Sequence, residues 1–354
     1  MRWIHSVVLH MAAGSVLSLL SKTTMNKKHR ISSHHRKAVS FPLNASPLER
    51  GVIPSFGIGI PCHNEAHNIR QLLENITHSW PAGLSPQRIV VISSASTDGT
   101  DQYIKEFAMT SPVPITLQVE NKRTGKSSSV NKIIQALSDL EIIMLISADV
   151  LPGENCLKKL LSAFTNPSVG VAGGRPIPEG SEKNLTVQIS RLLWNLHHYI
   201  AGINPKSTEI TVFRNIRNYI DKNSLVDEAE IERMLSQEGY RVVYIPEATI
   251  WIKAPLSLKD YLVSRTRVTL GHILMAKKNN YYLGTLSMKK RLWAISKLWK
   301  EKGLSPLTLL IAAVLETWIY FFALCKSLCK PKGNGIWSMS KSAKRAFDAA
   351  KIEE

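Results

Sequence analysis

Short apolar runs alternate with longer amphipathic stretches from residue 56 onward. The runs FGIGI, RIVVI, ITLQV and IIMLI occupy 56–60, 88–92, 115–119 and 142–146. Segments with helical periodicity lie between or after them, near 65–77, 100–109, 127–138 and 154–164. Strands that alternate with helices in this way form right-handed βαβ units around a largely parallel sheet. The pattern therefore predicts an α/β domain that binds its ligand at the carboxyl ends of the strands.

The pattern is less regular between 165 and 225 and mainly helical near the C-terminus. We predict a helix from about 185 to 201, a helix and a strand over 227–245, and a long helical region from about 257. The run at 307–328 is long and apolar enough to cross a bilayer, although Glu316 lies in its middle and both flanks are basic. A spanning helix and an interfacial or re-entrant helix fit equally well, and a buried core helix is a third alternative.

These patterns predict four parts of the chain. A basic and apolar extension occupies 1–50, and the α/β domain occupies 51–280. Amphipathic and hydrophobic membrane-associated helices follow at 281–330, and a basic tail at 331–354. The apolar stretch at 6–20 is short for a membrane span. A signal peptide, a short anchor and extra sequence ahead of a start at Met25 are all open, and we favour the last two. We expect the C-terminal helices to attach the domain to a membrane without contributing to its fold.

The net charge of +18 is concentrated at the ends of the chain. Residues 1–50 carry eight Lys or Arg against one acid, 289–302 carry six against one, and 326–354 carry seven against three. Basic segments beside apolar ones are attracted to anionic lipid headgroups, and solvated charge that only aids solubility is the simpler alternative. The middle of the chain has no basic stripe with interleaved aromatics, so we expect no nucleic-acid partner. Four cysteines without metal-ligand spacing indicate a reducing compartment.

Polar and charged residues follow each of the four predicted strands. The segments are PCHNEA at 61–66, SSASTDGT at 93–100, NKRTGKSSSVN at 121–131 and SADVLP at 147–152. Because the carboxyl ends of parallel strands meet at one edge of a sheet, these segments are predicted to share a nucleotide site. A P-loop is disfavoured, since Glu120 stands where G-x-x-x-x-G-K-[ST] requires its first Gly.

In these segments the chain resembles glycosyltransferase family 2, the inverting enzymes of the GT-A fold. The motif P-x-x-N-E is matched by Pro61, Asn64 and Glu65, D-D-x-S-x-D-x-T by Ser96, Asp98 and Thr100, and G-K-x-x-x-x-N by Gly125, Lys126 and Asn131. The motif D-A-D is matched by Ala148 and Asp149. The acidic pair ahead of G-Y-R is matched by Asp227 and Glu228, followed by Gly239, Tyr240 and Arg241, and Q-R-x-R-W is matched in part by Arg265 and Arg267. The resemblance covers about residues 56–275. It implies a Rossmann-like GT-A domain with a mostly parallel sheet.

The chain departs from the family's pattern where acids usually hold the nucleobase and the ribose. Ser93 and Ser94 stand there, and Ser147 replaces the first acid of D-A-D. The acid pair also reads Asp-Glu instead of Glu-Asp, and the late motif reads Ser-Arg-Thr-Arg-Val over 264–268. These departures leave the phosphate and metal chemistry in place and the identity of the nucleotide open.

The resemblance assigns roles to individual residues. Asp149 would hold Mg²⁺ or Mn²⁺, which neutralises the leaving diphosphate, and Lys126 would pair with that diphosphate. A helix cap is the structural alternative for Asp149, and a solvated surface lysine is the alternative for Lys126. The donor-binding set is Pro61, Asn64, Glu65, Ser93, Ser94, Asp98, Lys126, Arg265 and Arg267.

Inversion requires a general base that takes the proton of the acceptor hydroxyl. By its spacing to Gly239, Glu228 falls on the family's base, and Asp227 lies beside it. Two acids at the start of a helix are common without any catalytic role, which is the structural alternative. For His197 and His198, on a predicted helix, we favour a packing role over a place in the acceptor pocket.

The sequence therefore indicates an inverting, metal-dependent glycosyltransferase. It would move a sugar from a nucleotide-sugar donor to the hydroxyl of a saccharide or lipid-linked acceptor, such as an envelope glycan. We expect a membrane-associated protein with a cytoplasmic catalytic domain. The alternatives are a nucleotidyltransferase of the same fold, which would release pyrophosphate, and a non-catalytic membrane-associated protein that binds nucleotide-sugars.

Overall fold

The computed structural model describes residues 53–81, 83–279, 281, 287–302, 305–329 and 344–347. The expectations for 1–50, and for most of the tail at 331–354, fall outside these residues. Within the described residues, eight strands form a single sheet in the order β3-β2-β1-β4-β7-β6-β8-β5. They are β1 (Phe56–Cys62), β2 (Ile89–Ser94), β3 (Ile115–Glu120), β4 (Ile142–Ile146), β5 (Val150–Pro152), β6 (Val169–Glu179), β7 (Ile210–Arg214) and β8 (Arg241–Lys253).

Six of these eight strands run in the same direction. β1 is parallel to β2 and to β4, and β2 is parallel to β3. β7 is antiparallel to both β4 and β6, so β6 shares the direction of β4, and β8 is parallel to β6. β5 is antiparallel to β8. The predicted α/β class with a mostly parallel sheet is confirmed, and the carboxyl ends of β1, β2, β3, β4, β6 and β8 lie at one edge.

Helices cover both faces of the sheet. They are α1 (Ala66–His78), α2 (Thr100–Ala108), α3 (Lys126–Ala136), α4 (Cys156–Ser162), α5 (Leu185–Ile203), α6 (Asp227–Gln237), α7 (Leu258–Asn279), α8 (Met288–Lys302) and α9 (Pro306–Leu328). The apolar faces of α1, α2 and α4 pack on one side of the sheet, and those of α3 and α6 pack on the other. Gly59 of β1 allows α3 to approach closely, since a Cβ there would lie 2.1 Å from Ile133.

Strand β6 is the main element that the hydrophobic pattern does not predict. Three glycines and two prolines interrupt its sequence, VGVAGGRPIPE. The structure gives a reason for one of them, because a Cβ on Gly174 would lie 2.3 Å from the carbonyl oxygen of Ala248 in β8. The backbone of β8 lies so close to this position that only glycine fits. Because glycine is not typical of a strand interior, the hydrophobic pattern does not predict β6.

Helix α9 packs on helices of the α/β domain, contrary to the expectation that the C-terminal helices do not contribute to the fold. Ala312, Ile319 and Ala323 on its inner face are buried against α5, α7 and α8. Glu316 forms a two-point ion pair with Arg265 of α7, with N–O distances of 2.9 and 2.6 Å, and accepts a hydrogen bond of 2.8 Å from the Tyr261 hydroxyl. The acid in the middle of the apolar run is therefore explained by a contact with the domain.

The opposite face of α9 is apolar and exposed. Its large exposed side chains are Leu307, Leu310, Val314, Trp318, Phe321, Phe322 and Leu328. The helix has 23 residues and a mean hydropathy of 2.0 over its most apolar stretch, so its length and composition alone would allow it to cross a membrane. Trp293 and Trp299 of the basic helix α8 are also exposed.

Candidate active site

The loops after β1 and β2 are bound to each other at the carboxyl edge of the sheet. The side-chain oxygen of Asn64 accepts a hydrogen bond of 2.8 Å from the Thr97 amide, and the Asn64 amide donates one of 3.0 Å to the Ser96 hydroxyl. Asp98 accepts hydrogen bonds from the amides of Ala66 and Thr100, at 3.0 and 3.1 Å. These contacts give Asn64 and Asp98 a structural role at the edge where a nucleotide would lie.

The other donor-site residues on β1 and β2 are buried. Pro61 lies within β1, opposite Ile92. Ser93 donates a hydrogen bond to the carboxylate of Asp101, in the first turn of α2, and its hydroxyl oxygen lies 2.9 Å from the Ser96 hydroxyl, from which it can accept. The backbone oxygen of Ser94 lies 2.6 Å from Nδ1 of His63. Ser93 therefore has a carboxylate beside it, although the acid comes from a different element.

Lys126 and the acid pair meet across the sheet edge. The ammonium of Lys126, at the start of α3, lies 2.8 Å from the Glu228 carboxylate and 3.1 Å from that of Asp227, both at the start of α6. It also donates a hydrogen bond of 3.1 Å to the Ser147 hydroxyl at the end of β4. An ammonium has three donors, so these oxygens can occupy all of them. The structure thus places Lys126 with the acid pair, whereas the sequence predicted that it faces a diphosphate.

Glu209 is a residue of this cluster that sequence analysis missed. It directly precedes β7, and the antiparallel pairing of Ile146 with Ile210 brings it beside Ser147. The Ser147 amide donates to the Glu209 carbonyl at 3.2 Å, and the Ser147 hydroxyl donates to its carboxylate at 3.3 Å. Burial, and then the negative charge of Glu228, raises the pKa of Glu209 to about 7. No local motif marks this residue, because its position depends on a long-range strand pairing.

The two members of the acid pair have opposite electrostatic environments. Burial alone would raise the pKa of Glu228, but the charge and hydrogen bond of Lys126 hold it below its usual value. Burial and the neighbouring Glu228 raise the pKa of Asp227, which is almost fully buried. Glu228 is the more exposed and the more readily ionised of the two. Of the two, Glu228 is thus the carboxylate that is ionised and accessible to a substrate hydroxyl.

Asp149 has the properties of a metal ligand. It follows β4, next to β1 in the sheet, and it is half-buried. None of the described residues donates a hydrogen bond to its carboxylate, which leaves its oxygens available to a hard cation. Within the described chain, no three His, Cys, Asp or Glu side chains form a complete metal site. Asp149 therefore stays the candidate cation ligand that the sequence predicts.

Glu65 lies at the end of β1, beside β4. Its side chain is 5% exposed and accepts a hydrogen bond of 2.7 Å from the Asn68 amide. Burial, followed by the charge of Asp149, raises its pKa to about 7. Glu65 and Asp149 thus act on each other electrostatically, and a cation between the strand ends would stabilise both.

A C-terminal segment also reaches this edge, which the sequence did not predict. The ammonium of Lys344 forms an ion pair with Glu65 and donates a hydrogen bond of 2.9 Å to the backbone oxygen of His63. Arg345 lies 3.4 Å from the Glu179 carboxylate at the end of β6. Phe347 is buried, with its ring centroid 4.2 Å from the ammonium of Lys253. The segment Lys344–Phe347 therefore docks across the ends of β1, β6 and β8.

The two arginines of the late motif separate in the structure. The guanidinium of Arg265 is bound by Glu316 of α9, so it contacts no proposed donor residue. Arg267 lies near the acid pair: it donates a hydrogen bond of 3.4 Å to the Leu225 carbonyl, and its charge contributes to lowering the pKa of Glu228.

The predicted helix at 185–201 carries an aromatic cluster. The His197 ring lies 5.1 Å from the Trp194 ring and 6.2 Å from the Tyr244 ring, measured between centroids. Burial lowers the pKa of His197 to about 3. The ring of His198 contacts the Tyr244 hydroxyl at 3.0 Å. Both histidines thus make the packing contacts that the sequence analysis favoured.

Comparison with known sequences extends these observations. The model of glycosyl transferase family 2 matches residues 57–235, which is half of the chain. Poly-beta-1,6-N-acetyl-D-glucosamine synthase of Staphylococcus aureus is 23% identical over 248 residues, covering 66% of this chain and 59% of the relative. Succinoglycan biosynthesis protein ExoA of Rhizobium meliloti is 25% identical over 224 residues, covering 54% and 64%. The match thus spans about three-fifths of the length of each relative.

Comparison with solved structures bears on the fold. A mannosyltransferase from Pyrobaculum calidifontis, solved in complex with GDP-Man and Mn²⁺, aligns with a TM-score of 0.58 at 18% identity. The alignment covers 94% of this chain and 98% of that one. The chain therefore belongs to glycosyltransferase family 2 and has the GT-A fold.

Proposed function

We propose that this protein is an inverting glycosyltransferase that moves a sugar from a nucleotide-sugar donor to an acceptor hydroxyl. The observation that carries the proposal is the position of the Asp227 and Glu228 pair. It contacts Lys126 at the sheet edge, and Glu228 and Asp149 both act electrostatically on the neighbouring Glu209. A base and a candidate cation ligand thus lie at one strand edge, as transfer to a hydroxyl requires.

Glu228 takes the proton of the acceptor hydroxyl as its oxygen attacks the anomeric carbon. Lys126 keeps the Glu228 carboxylate ionised and fixes its orientation through the contact of 2.8 Å. Asp149 would hold Mg²⁺ or Mn²⁺, which supplies positive charge to the leaving diphosphate. The mannosyltransferase with Mn²⁺ supports a divalent cation in this fold.

The acceptor is a saccharide, free or lipid-linked. Both curated relatives are named for polysaccharide synthesis, which supports this class of acceptor. A groove of about 330 Å³ lies where β6, β8 and α5 meet, with Trp194, Trp251 and Arg175 in its lining. Flat aromatic faces beside hydrogen-bonding side chains suit a sugar ring.

We place the protein at the cytoplasmic side of a membrane. The exposed apolar face of α9 and the exposed Trp293 and Trp299 of α8 would enter the interface, and the lysines of α8 would face anionic headgroups. Because Glu316 ties the middle of α9 to α7, an in-plane helix fits these contacts better than a spanning one.

Calorimetry tests the proposal. UDP-, GDP- and TDP-sugars are titrated into the full chain with Mn²⁺, and we expect one nucleotide class to bind. A protein that has lost the function of the site would bind none of them. A nucleotidyltransferase would bind a nucleoside triphosphate more tightly than any nucleotide-sugar, and that result would favour the alternative.

A further inference from the structure

Lysines at the carboxyl edge of the sheet differ in how many protein groups surround their ammonium. Lys126 has three protein oxygens within 3.1 Å. Lys253 donates to the side-chain oxygen of Asn68 and to the backbone oxygen of Arg345, and its third side faces the ring of Phe347. Each of these two ammonium groups therefore has three protein groups around it, and two of the three accept a hydrogen bond.

Lys344 is different. Its ammonium has two acceptors among the described residues, the Glu65 carboxylate and the His63 carbonyl, so one of its three donors remains for a ligand. The side chain is 25% exposed, whereas that of Glu65 is 5% exposed. The buried Glu65 carboxylate therefore binds the Lys344 ammonium from the protein side. The ammonium itself is still partly exposed at the surface of the site.

The location of Lys344 is set by the strands beneath it. Glu65 and His63 follow β1, and β1 lies between β2 and β4 in the sheet. Asp149, the candidate cation ligand, follows β4. A diphosphate that shares a cation with Asp149 would lie at this same edge, within the region that the ammonium of Lys344 faces.

The segment that carries Lys344 is anchored by the residues that directly follow it. Arg345 donates to the backbone oxygens of Ala254 and Glu179, at 3.3 and 3.4 Å. Phe347, 7% exposed, covers the Lys253 ammonium. A buried aromatic and several backbone contacts fix the segment in place, so Lys344 is pre-organised toward the site.

We infer that Lys344, supplied by the C-terminal segment, is the lysine that binds the diphosphate of the nucleotide-sugar donor, and that Lys126 instead orients the base. The inference rests on the proposed function, because it requires a nucleoside diphosphate at the strand edge. It gives the C-terminal segment a direct part in the donor site.

The test compares nucleoside diphosphates with monophosphates. UDP, GDP, UMP and GMP are titrated with Mn²⁺ into the full chain and into Lys344→Met, Lys344→Arg, Lys126→Met and the surface control Lys183→Met. Loss of one charge-assisted hydrogen bond should weaken diphosphate binding by Lys344→Met about 10- to 100-fold. Monophosphate binding should change much less, since the second phosphate is missing. Lys344→Arg should retain most of the affinity, and Lys126→Met should lose less of it than Lys344→Met.

Three results would overturn the inference. Equal losses for diphosphate and monophosphate in Lys344→Met would show that the segment only supports the fold. Tighter diphosphate binding by Lys344→Met would show that the segment blocks the site. A larger loss in Lys126→Met than in Lys344→Met would return the diphosphate to Lys126. If the unmodified chain binds no nucleotide at all, the proposed function itself fails, which is a different outcome from a loss confined to the variants.

Discussion

The hydroxyl of Ser147 donates a hydrogen bond of 3.3 Å to the carboxylate of Glu209, which lies across the β4 and β7 pairing. A second pair repeats this relationship, because Ser93 donates to the carboxylate of Asp101 in α2. Both serines stand where the family pattern has an acid. In each case a neighbouring element brings a carboxyl group to the place where the motif lacks its acid.

The first pair leads to an exchange experiment. Glu209→Gln removes the carboxyl group that accepts from the Ser147 hydroxyl. The Ser147 hydroxyl then becomes a weaker acceptor for Lys126, and Lys126 holds the base Glu228 less firmly. Turnover, measured as nucleoside diphosphate release, should fall about 10-fold, the value of one charge-assisted hydrogen bond. Adding Ser147→Asp should restore most of it, because the carboxylate then stands at the motif position. A double variant no more active than Glu209→Gln would refute this exchange.

The base is tested by matched amides. Glu228→Gln keeps size and hydrogen bonding but removes basicity, so turnover should fall by about 10²–10⁴ with little change in donor affinity. Asp227→Asn should cost less, since Asp227 is more deeply buried and less readily ionised. Small and equal losses in the two variants would place the base elsewhere.

The ion pair between α7 and α9 should stabilise the fold. Glu316→Gln leaves the Arg265 guanidinium without its carboxylate, and we expect a loss of about 1–3 kcal/mol in the free energy of unfolding. Urea unfolding at a fixed detergent concentration measures it. Glu182→Gln is the matched control: it removes the partner of Arg191, but Glu182 is 87% exposed, so its loss should stay below about 1 kcal/mol. Equal changes would show that α9 is not tied to the domain by this pair.

His197 should make stability depend on pH in the acid range. Its pKa in the folded protein is about 3, below the value of 6.5 in an unfolded chain, so the folded state binds fewer protons between these values. The stabilising contribution is complete above pH 6.5 and is lost as the pH falls. His197→Phe keeps a ring between Trp194 and Tyr244 without the titration. Between pH 7.5 and pH 5 the natural chain should lose about 2 kcal/mol in the free energy of unfolding that the variant does not lose. Parallel stability curves would contradict this assignment.

The local pattern was sufficient to predict the first half of the site. The runs at 56–60, 88–92, 115–119 and 142–146 became β1 to β4, and the segments after them met at one edge. The helix predicted from 227 also begins with Asp227 and Glu228 in the structure. These features depend on hydrophobic periodicity and on short motifs, both of which are visible within a few residues of sequence.

The remainder of the site depends on contacts between distant residues. Glu209 reaches Ser147 through an antiparallel pairing, and Lys344 reaches Glu65 from 279 positions later in the chain. The apolar run at 307–328 suggested a membrane segment that contains one acid. That acid, Glu316, pairs with Arg265 of another helix, which the local sequence does not show. A chain that ends near 302 would therefore lose this ion pair, which corrects our expectation that the C-terminal helices do not contribute to the fold.

The most direct measurement of the central claim is the product released from the nucleotide. The full chain is incubated with Mn²⁺, a saccharide acceptor and the nucleotide-sugar selected by calorimetry, and the products are separated by ion-exchange chromatography. A glycosyltransferase with Glu228 as its base should release nucleoside diphosphate in step with sugar transfer, and Glu228→Gln should nearly abolish both. Release of pyrophosphate from a nucleoside triphosphate and a sugar phosphate, or diphosphate release that is unchanged in Glu228→Gln, would contradict the account.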